Sequence, residues 1–206
     1  KGAVLDSDGT INSSYNGELT ATVYDKNIQR STLGNDQTTD NNGNIIILDY
    51  QTQGEVLFRG NASVTNGNYE FEFIMPKDLR NNIGPGKFSF YSKDQNFELD
   101  NNGYNLGILM GGINENAEID TTGPEIDLYM NDESFTNGGI TNENPNLIVK
   151  LFDLNGINTS GGIGHDIVAT IDDDDANSFV LNDYYTAETD DYKNGTVNFP
   201  LNNLTS

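Results

Sequence analysis

The sequence has no cysteine and no tryptophan, one histidine, 5 prolines, and 10 basic residues against 32 acidic ones. Without cysteine there is no disulfide, no thiolate metal site and no cysteine nucleophile within these 206 residues. With His165 as the sole imidazole, any nucleophile–base pair has a single candidate base. The net charge of -22 repels phosphate backbones and anionic membrane surfaces. It favours divalent cations and solubility in salt. No apolar 18-residue run, signal peptide or lipidation motif is visible. The chain opens on "KGAVLD" rather than Met and stops just after a predicted strand, so both ends are expected to be cuts within a longer polypeptide.

Hydrophobic residues make up 34% of the chain, yet the 10% aromatics, all Tyr and Phe, fall inside alternating runs, which argues against disorder. The period is two rather than 3.6. Leu19, Ala21 and Val23 alternate with Thr20, Thr22 and Tyr24 in "ELTATVYD" (18–25). "NIIILDY" (44–50), "EVLFRGNASV" (55–64), "NYEFEFIM" (68–75), "GKFSFYSKD" (86–94) and "YNLGILMGGI" (104–113) follow as strands. Tyr69, Phe71 and Phe73 are expected on one face, Glu70 and Glu72 on the other. "NNGN" (41–44), "TNGN" (65–68), "NIGPGK" (82–87) and "NNGY" (101–104) read as turns, because Asn and Gly tolerate positive φ. After a Gly123-Pro124 break come "EIDLYM", "NLIVKLFD" (146–153), "HDIVATID" (165–172), "SFVLND" (178–183) and "GTVNFPL" (195–201). The spacing predicts an all-β protein of two consecutive immunoglobulin-like antiparallel sandwiches, residues 1–118 and 119–206. The second shows five strands where about seven are usual, so it is expected to be incomplete or to take a strand from elsewhere.

Three chemistries compete for the polar residues. Nucleophilic catalysis at "INTSGGIGHDIVATIDDDD" (157–175) would use Ser160 with His165, but no GxSxG elbow surrounds Ser160. Asp166 follows His165 directly and would face away from it on a strand. A bend at Gly161, Gly162 and Gly164, with His165 starting a strand, is the plainer reading. Calcium needs six to eight oxygens, and the candidates are Asp172 and Asp174 in the aspartate run with Asp100 and Asn102 in "ELDNNG". Glu98, Asp100, Asn102 and Gly103 imitate half of an EF-hand loop, but Leu109 stands at the distal Glu position, and solvated turns are the simpler alternative. Paired carboxylates for glycoside hydrolysis are not singled out among so many acids. In "LNDYYTAETDDYKNG" (181–195), alternation puts Tyr184 and Tyr185 on opposite faces, one of them in the core; with Tyr192 they could also form a platform for sugar or protein.

Long motifs carry a resemblance through nearly the whole chain. "YNGELTATVYDK" (15–26), "LFRGNASVTNGNYEFEFIMPKDL" (57–79), "GKFSFYSKD" (86–94), "GPEIDLYMND" (123–132), "GGITNENPNLIVKLFDLNGINTSGGIGHDIVATIDDD" (138–174) and "LNDYYTAETDDYKNGTVNFPLNNL" (181–204) carry it. It resembles the C-terminal β-sandwich region of the PorU-type sortases of Bacteroidota, gingipain-type cysteine peptidases of the type IX secretion system. The resemblance implies a cell-surface parent that removes the C-terminal signal of secreted cargo and joins the cargo to anionic lipopolysaccharide. It also implies attachment to the outer membrane through the barrel protein PorV, without a membrane span of its own. The catalytic Cys and His domain has no counterpart here, so no catalytic residue is carried over and "GHD" (164–166) belongs to the sandwich motif. What the resemblance implies is a non-enzymatic accessory region that positions its own peptidase domain, PorV or cargo, with no cofactor expected. The alternative is a calcium-dependent adhesion or carbohydrate-binding surface module.

Overall fold

The computed structural model describes residues 1–77, 79–96, 98–117, 120–161 and 166–204. The first half carries strands β1 (Gly2–Ala3), β2 (Gly17–Tyr24), β3 (Ile28–Ser31), β4 (Asp49–Thr52), β5 (Val56–Thr65), β6 (Asn68–Tyr69), β7 (Gly84–Pro85), β8 (Lys87–Asp94), β9 (Asp100–Asn105) and β10 (Leu109–Met110). The second carries β11 (Glu125–Met130), β12 (Asn146–Phe152), β13 (Val168–Ala169), β14 (Phe179–Val180), β15 (Tyr185–Glu188) and β16 (Asp191–Pro200). Among the described residues the only helical turns are two short 3₁₀ segments, Asp175–Asn177 and Asn182–Tyr184. None is long and apolar enough to cross a membrane. The all-β class read from the period-two patterning is the class observed.

One sheet of ten strands dominates, ordered β11-β12-β16-β15-β5-β2-β8-β9, with β6 also on β5 and β1 on β6. Three two-stranded ribbons, β3–β4, β7–β10 and β13–β14, complete it. In the first half β2 is central, antiparallel to β5 on one side and β8 on the other. Its register aligns Leu19 with Ala62 and Ser92, and Ala21 with Gly60 and Phe90. Leu19, Ala21 and Val23 are thereby sealed on one face. The opposite face is polar, with Thr20 donating to Asn61 at 2.9 Å. Burying a large aliphatic side chain in this way contributes about 1.5–3 kcal/mol. A register slip between Val23 and Tyr24 makes Leu57 the extra residue of a bulge, so Leu57 and Phe58 both reach the core. The Thr65–Asn68 reversal is a two-residue hairpin, with Asn66 at φ 50° and Gly67 at φ 75°, as "TNGN" predicts.

In the second half β12 buries Leu147, Val149 and Leu151 and exposes the alternate residues more fully. Val197 of β16 and Tyr185 and Ala187 of β15 continue that core. Ile126 and Leu128 on the outer strand β11 pair with Leu151 and Val149, so they share the core-facing side. They are nonetheless 63% and 53% exposed, because nothing among the described residues covers the sheet there.

The two halves meet through the tip of the β15–β16 hairpin. Ala187 pairs in parallel with Gly60. The Asp190 N–H donates to the Asn61 carbonyl at 3.0 Å, and the Ser63 N–H donates back to Asp190 Oδ1 at 2.9 Å. Thr189 donates to Glu18 Oε2 at 2.9 Å, and Arg59 reaches the Asp183 carbonyl. Donors and acceptors on the edge of β5 are thus satisfied by the other half of the chain. Phe58 packs against all three core clusters, stacked on Phe73 at 4.9 Å between centroids and on Phe71 at 5.9 Å.

Several strand limits differ from the sequence reading, for physical reasons. "NYEFEFIM" keeps its alternation, with Phe71 and Phe73 packed inward and Glu72 and Ile74 exposed, but only Asn68–Tyr69 is paired. Alternation records burial; a ladder also needs a neighbour. "NIIILDY" lies on the outlying β3–β4 arm with Ile45, Ile47 and Leu48 exposed, and only its last two residues belong to a strand. "NNGY" is not a turn but the middle of β9, paired with Ser89–Ser92 of β8. The chain reverses earlier, where Asp94 Oδ1 accepts the N–H groups of Glu98 and Leu99 at 2.7 and 2.8 Å. Of "HDIVATID" only Val168–Ala169 is paired among the described residues, and of "SFVLND" only Phe179–Val180.

Candidate functional site

Among the described residues, the side chains with catalytic or metal-binding potential lie in separate places. His165, Gly162 and Gly164 lie outside the described residues, as do Glu118 and Ile119 at the expected boundary between halves. Ser160 is buried and its hydroxyl donates to Asn158 Oδ1 at 2.6 Å, while Asp166 is exposed. The aspartate run forms a tight turn, with Asp172 and Asp173 at φ 54° and 57°. Asp174 caps the first 3₁₀ turn, accepting from the Ala176 N–H at 3.1 Å and from Asn177 Nδ2 at 2.7 Å. Asp100 and Asn102 sit on β9, opposite Lys93 and Tyr91. The Tyr91 hydroxyl donates to Asp100 at 3.1 Å. Among the described residues no group of three His, Cys, Asp or Glu side chains is placed to hold a metal ion.

Two places concentrate unusual polar groups. At the end of β2, Asp25 and Lys26 are both about 95% buried; Asp25 takes Lys26 Nζ at 2.8 Å and Arg80 Nε at 2.8 Å. Lys26 Nζ also donates to the Arg80 carbonyl at 2.9 Å. Burial acts to raise the Asp25 carboxyl, but hydrogen bonds from Lys26 and Arg80 outweigh it and hold the group below its ordinary range. This ionic knot ties β2 to the loop preceding β7 and presents no cleft-facing nucleophile.

The second place is a cavity of about 440 Å³ where the halves meet. Leu57, Phe58 and Phe73 wall it from the first half, and Ile157, Tyr185 and Tyr192 from the second. Asp120 and Lys77 stand among its lining residues. Asp120 is held low, first by the Thr122 N–H, then by the Asn155 side chain. Two of these lining residues carry a buried polar atom with no partner among the described residues, the Tyr185 hydroxyl and Thr159 Oγ1. Their residues are only 2% and 5% exposed. Such orphans are uncommon in folded proteins and costly. The Tyr185 phenol is pushed up chiefly by burial, with the charges of Glu188 and Asp191 adding to it. Its ring lies over Gly195, where a side chain would collide with it. Tyr184, on the other side of the backbone, is 43% exposed and meets Phe199 edge-on at 4.7 Å. The sequence names Tyr184, Tyr185 and Tyr192 together, but only Tyr185 and Tyr192 line the cavity; Thr159 and Phe58 carry no local signal, since a hydroxyl's missing partner is a tertiary fact.

No family model matches the chain, and no curated protein does. Among solved structures, the chain is similar over 98% of its length to dimeric latent PorU from Porphyromonas gingivalis, with 29% identity and a TM-score of 0.53. It spans 18% of that chain. Lacking cysteine, these 206 residues are not themselves a cysteine peptidase; they form an all-β unit similar to one part of PorU.

Proposed function

We propose that the chain is a non-catalytic accessory region of a PorU-like cell-surface sortase, placing the peptidase domain, the barrel partner PorV or type IX secretion cargo at a fixed distance. The carrying observation is the similarity to PorU over 98% of the chain. Two structural features support a positional role. The hairpin tip joins the two halves through the Ala187–Gly60 pairing and the Ser63–Asp190 hydrogen bond, which supports a spacer of fixed length. Ile126 and Leu128, left uncovered on the core-facing side of β11, suit a module that packs against further protein. In this reading the parent works at the outer face of the outer membrane, and the acidic surface keeps the region soluble and away from anionic lipopolysaccharide. For the calcium-binding alternative, no group of three His, Cys, Asp or Glu side chains among the described residues offers a ready site.

The test is deletion of this region from the full polypeptide, with cargo processing and co-purification of the outer-membrane barrel as readouts. The expected result is a folded peptidase that no longer processes cargo at the surface or no longer retains the barrel. Unchanged processing and retention, or peptide cleavage by the isolated 206-residue chain, would overturn it.

A further inference from the structure

The junction cavity lies next to a second, acidic depression, and we read the two together as one groove. Phe58 and Tyr192, which wall it, also line an adjoining trough whose acidic side chains are Glu70, Glu72, Glu188, Asp190 and Asp191, against one cation, Lys193. Beside both runs the extended segment Phe71–Lys77, whose backbone has no backbone hydrogen-bond partner among the described residues. At the apolar end lie the two buried hydroxyls without partners among the described residues, Tyr185 and Thr159. A groove with an apolar seat, orphaned hydroxyls, a free extended backbone and a negative trough specifies its complement chemically.

We propose that this groove binds an extended cationic peptide, seating one apolar side chain in the cavity that the stacked Phe58–Phe73 pair walls opposite Ile157 and Tyr192, and laying a following Lys or Arg along the acidic trough. Strand addition supplies the peptide's backbone with partners on Phe71–Lys77, which is a recurring mode of peptide recognition. The cavity has the size usual for ligand sites and accepts any large aliphatic or aromatic side chain. The Tyr185 oxygen is closed to solvent in the free protein, so the lining must open for a peptide carbonyl to accept from it; binding then satisfies a donor that has no partner among the described residues. Glu72, exposed and without a partner among the described residues, is the carboxylate freest to meet the incoming cation. The site requires no other part of a PorU-like parent, so it stands or falls separately from that reading.

The experiment is calorimetric titration of the 206-residue chain with blocked hexapeptides that alternate leucine with lysine, with glutamate replacing lysine, or with alanine replacing leucine. The leucine–lysine peptide is expected to bind and to weaken by about tenfold when salt rises from about 0.05 to about 0.5 M. The other two peptides are expected to bind at least about tenfold more weakly, having lost the charge complement or the buried side chain. Tyr185→Phe is expected to weaken binding about fivefold while leaving the melting temperature unchanged or raised, since it deletes an orphaned hydroxyl and keeps the ring. Glu72→Lys, on the surface, is expected to weaken it by a similar factor without touching the core. Absence of binding at about 1 mM peptide, equal binding of the glutamate peptide, or an affinity indifferent to both substitutions would overturn the proposal.

Discussion

Removing Asp25 tests whether the buried ionic knot holds the first half together. In Asp25→Ala, Lys26 keeps an ammonium whose side chain is 5% exposed, and its remaining partner is the neutral carbonyl of Arg80. Arg80, 39% exposed at the side chain, can turn toward water, so the penalty falls on Lys26. Stranding one member of a buried pair costs about 3–5 kcal/mol. For a chain of this length that corresponds to a fall of roughly 6–20 °C in the melting temperature. The loss is pH-dependent with a definite sign. The folded carboxyl titrates below its ordinary value of 3.8, so the native state binds fewer protons than the unfolded one in that range. Its stabilising contribution is complete above the unfolded value and is lost as the pH falls through the lower, folded value. Urea titrations followed by tyrosine near-ultraviolet circular dichroism at pH 7 and at pH 3 read both effects. The gap between parent and variant is expected to be wide at pH 7 and to shrink below pH 3.8. The double variant Asp25→Leu with Lys26→Met is expected to recover much of the loss, because it removes the stranded charge. A cost under about 1 kcal/mol at pH 7, the range of exposed pairs, would refute the reasoning, as would a gap that does not change with acid.

Other outcomes follow from the same geometry. Phe58→Ala is expected to cost about 3 kcal/mol or more, because its ring touches all three core clusters; equilibrium unfolding checks this, and separation of the single transition into two would show that the ring couples the halves. Gly60→Val places a side chain against Phe58 and 3.0 Å from the Ala187 Cβ, at the one parallel contact between β5 and β15, and is expected to cost about 1–3 kcal/mol by differential scanning calorimetry. Leu19→Ala, on the central strand, is expected to cost about 2–5 kcal/mol, measured by urea unfolding. Excess calcium is expected to leave the melting temperature within about 1 °C of the value in EDTA, since saturation of a true site at 100 times Kd would add about 2.7 kcal/mol.

The strands that became the spine of the sheet were legible because one face of each is sealed. Leu19, Ala21 and Val23 repeat with the pleat, as do Leu147, Val149 and Leu151, and periodicity is the trace that one-sided burial leaves in a sequence. The "TNGN" hairpin was legible because Asn66 and Gly67 adopt the positive φ such a turn requires. "NNGY" misled for the complementary reason: those residues permit a turn without demanding one, and pairing with β8 held them extended. The run at Tyr69–Phe73 showed its buried side correctly, but no pattern of side chains reports whether a neighbouring backbone is present to pair with it. The candidate calcium ligands sit in two settings, Asp172 and Asp174 in a turn and Asp100 and Asn102 on a strand opposite Lys93 and Tyr91, which composition alone does not distinguish.

By itself the sequence determined the all-β class, the exclusion of thiol chemistry from this stretch, and which residues of the central strands face inward. These follow from composition and from interactions between residues one or two apart. Tertiary structure alone decided that the β15–β16 hairpin closes on β5, that Arg80 reaches Asp25, and that Tyr185 and Thr159 are buried without partners among the described residues beside an acidic trough. The Arg80–Asp25 and Ser63–Asp190 contacts join residues 55 and 127 positions apart, and contact at such separations depends on how strands are ordered in the sheet, which local periodicity does not encode.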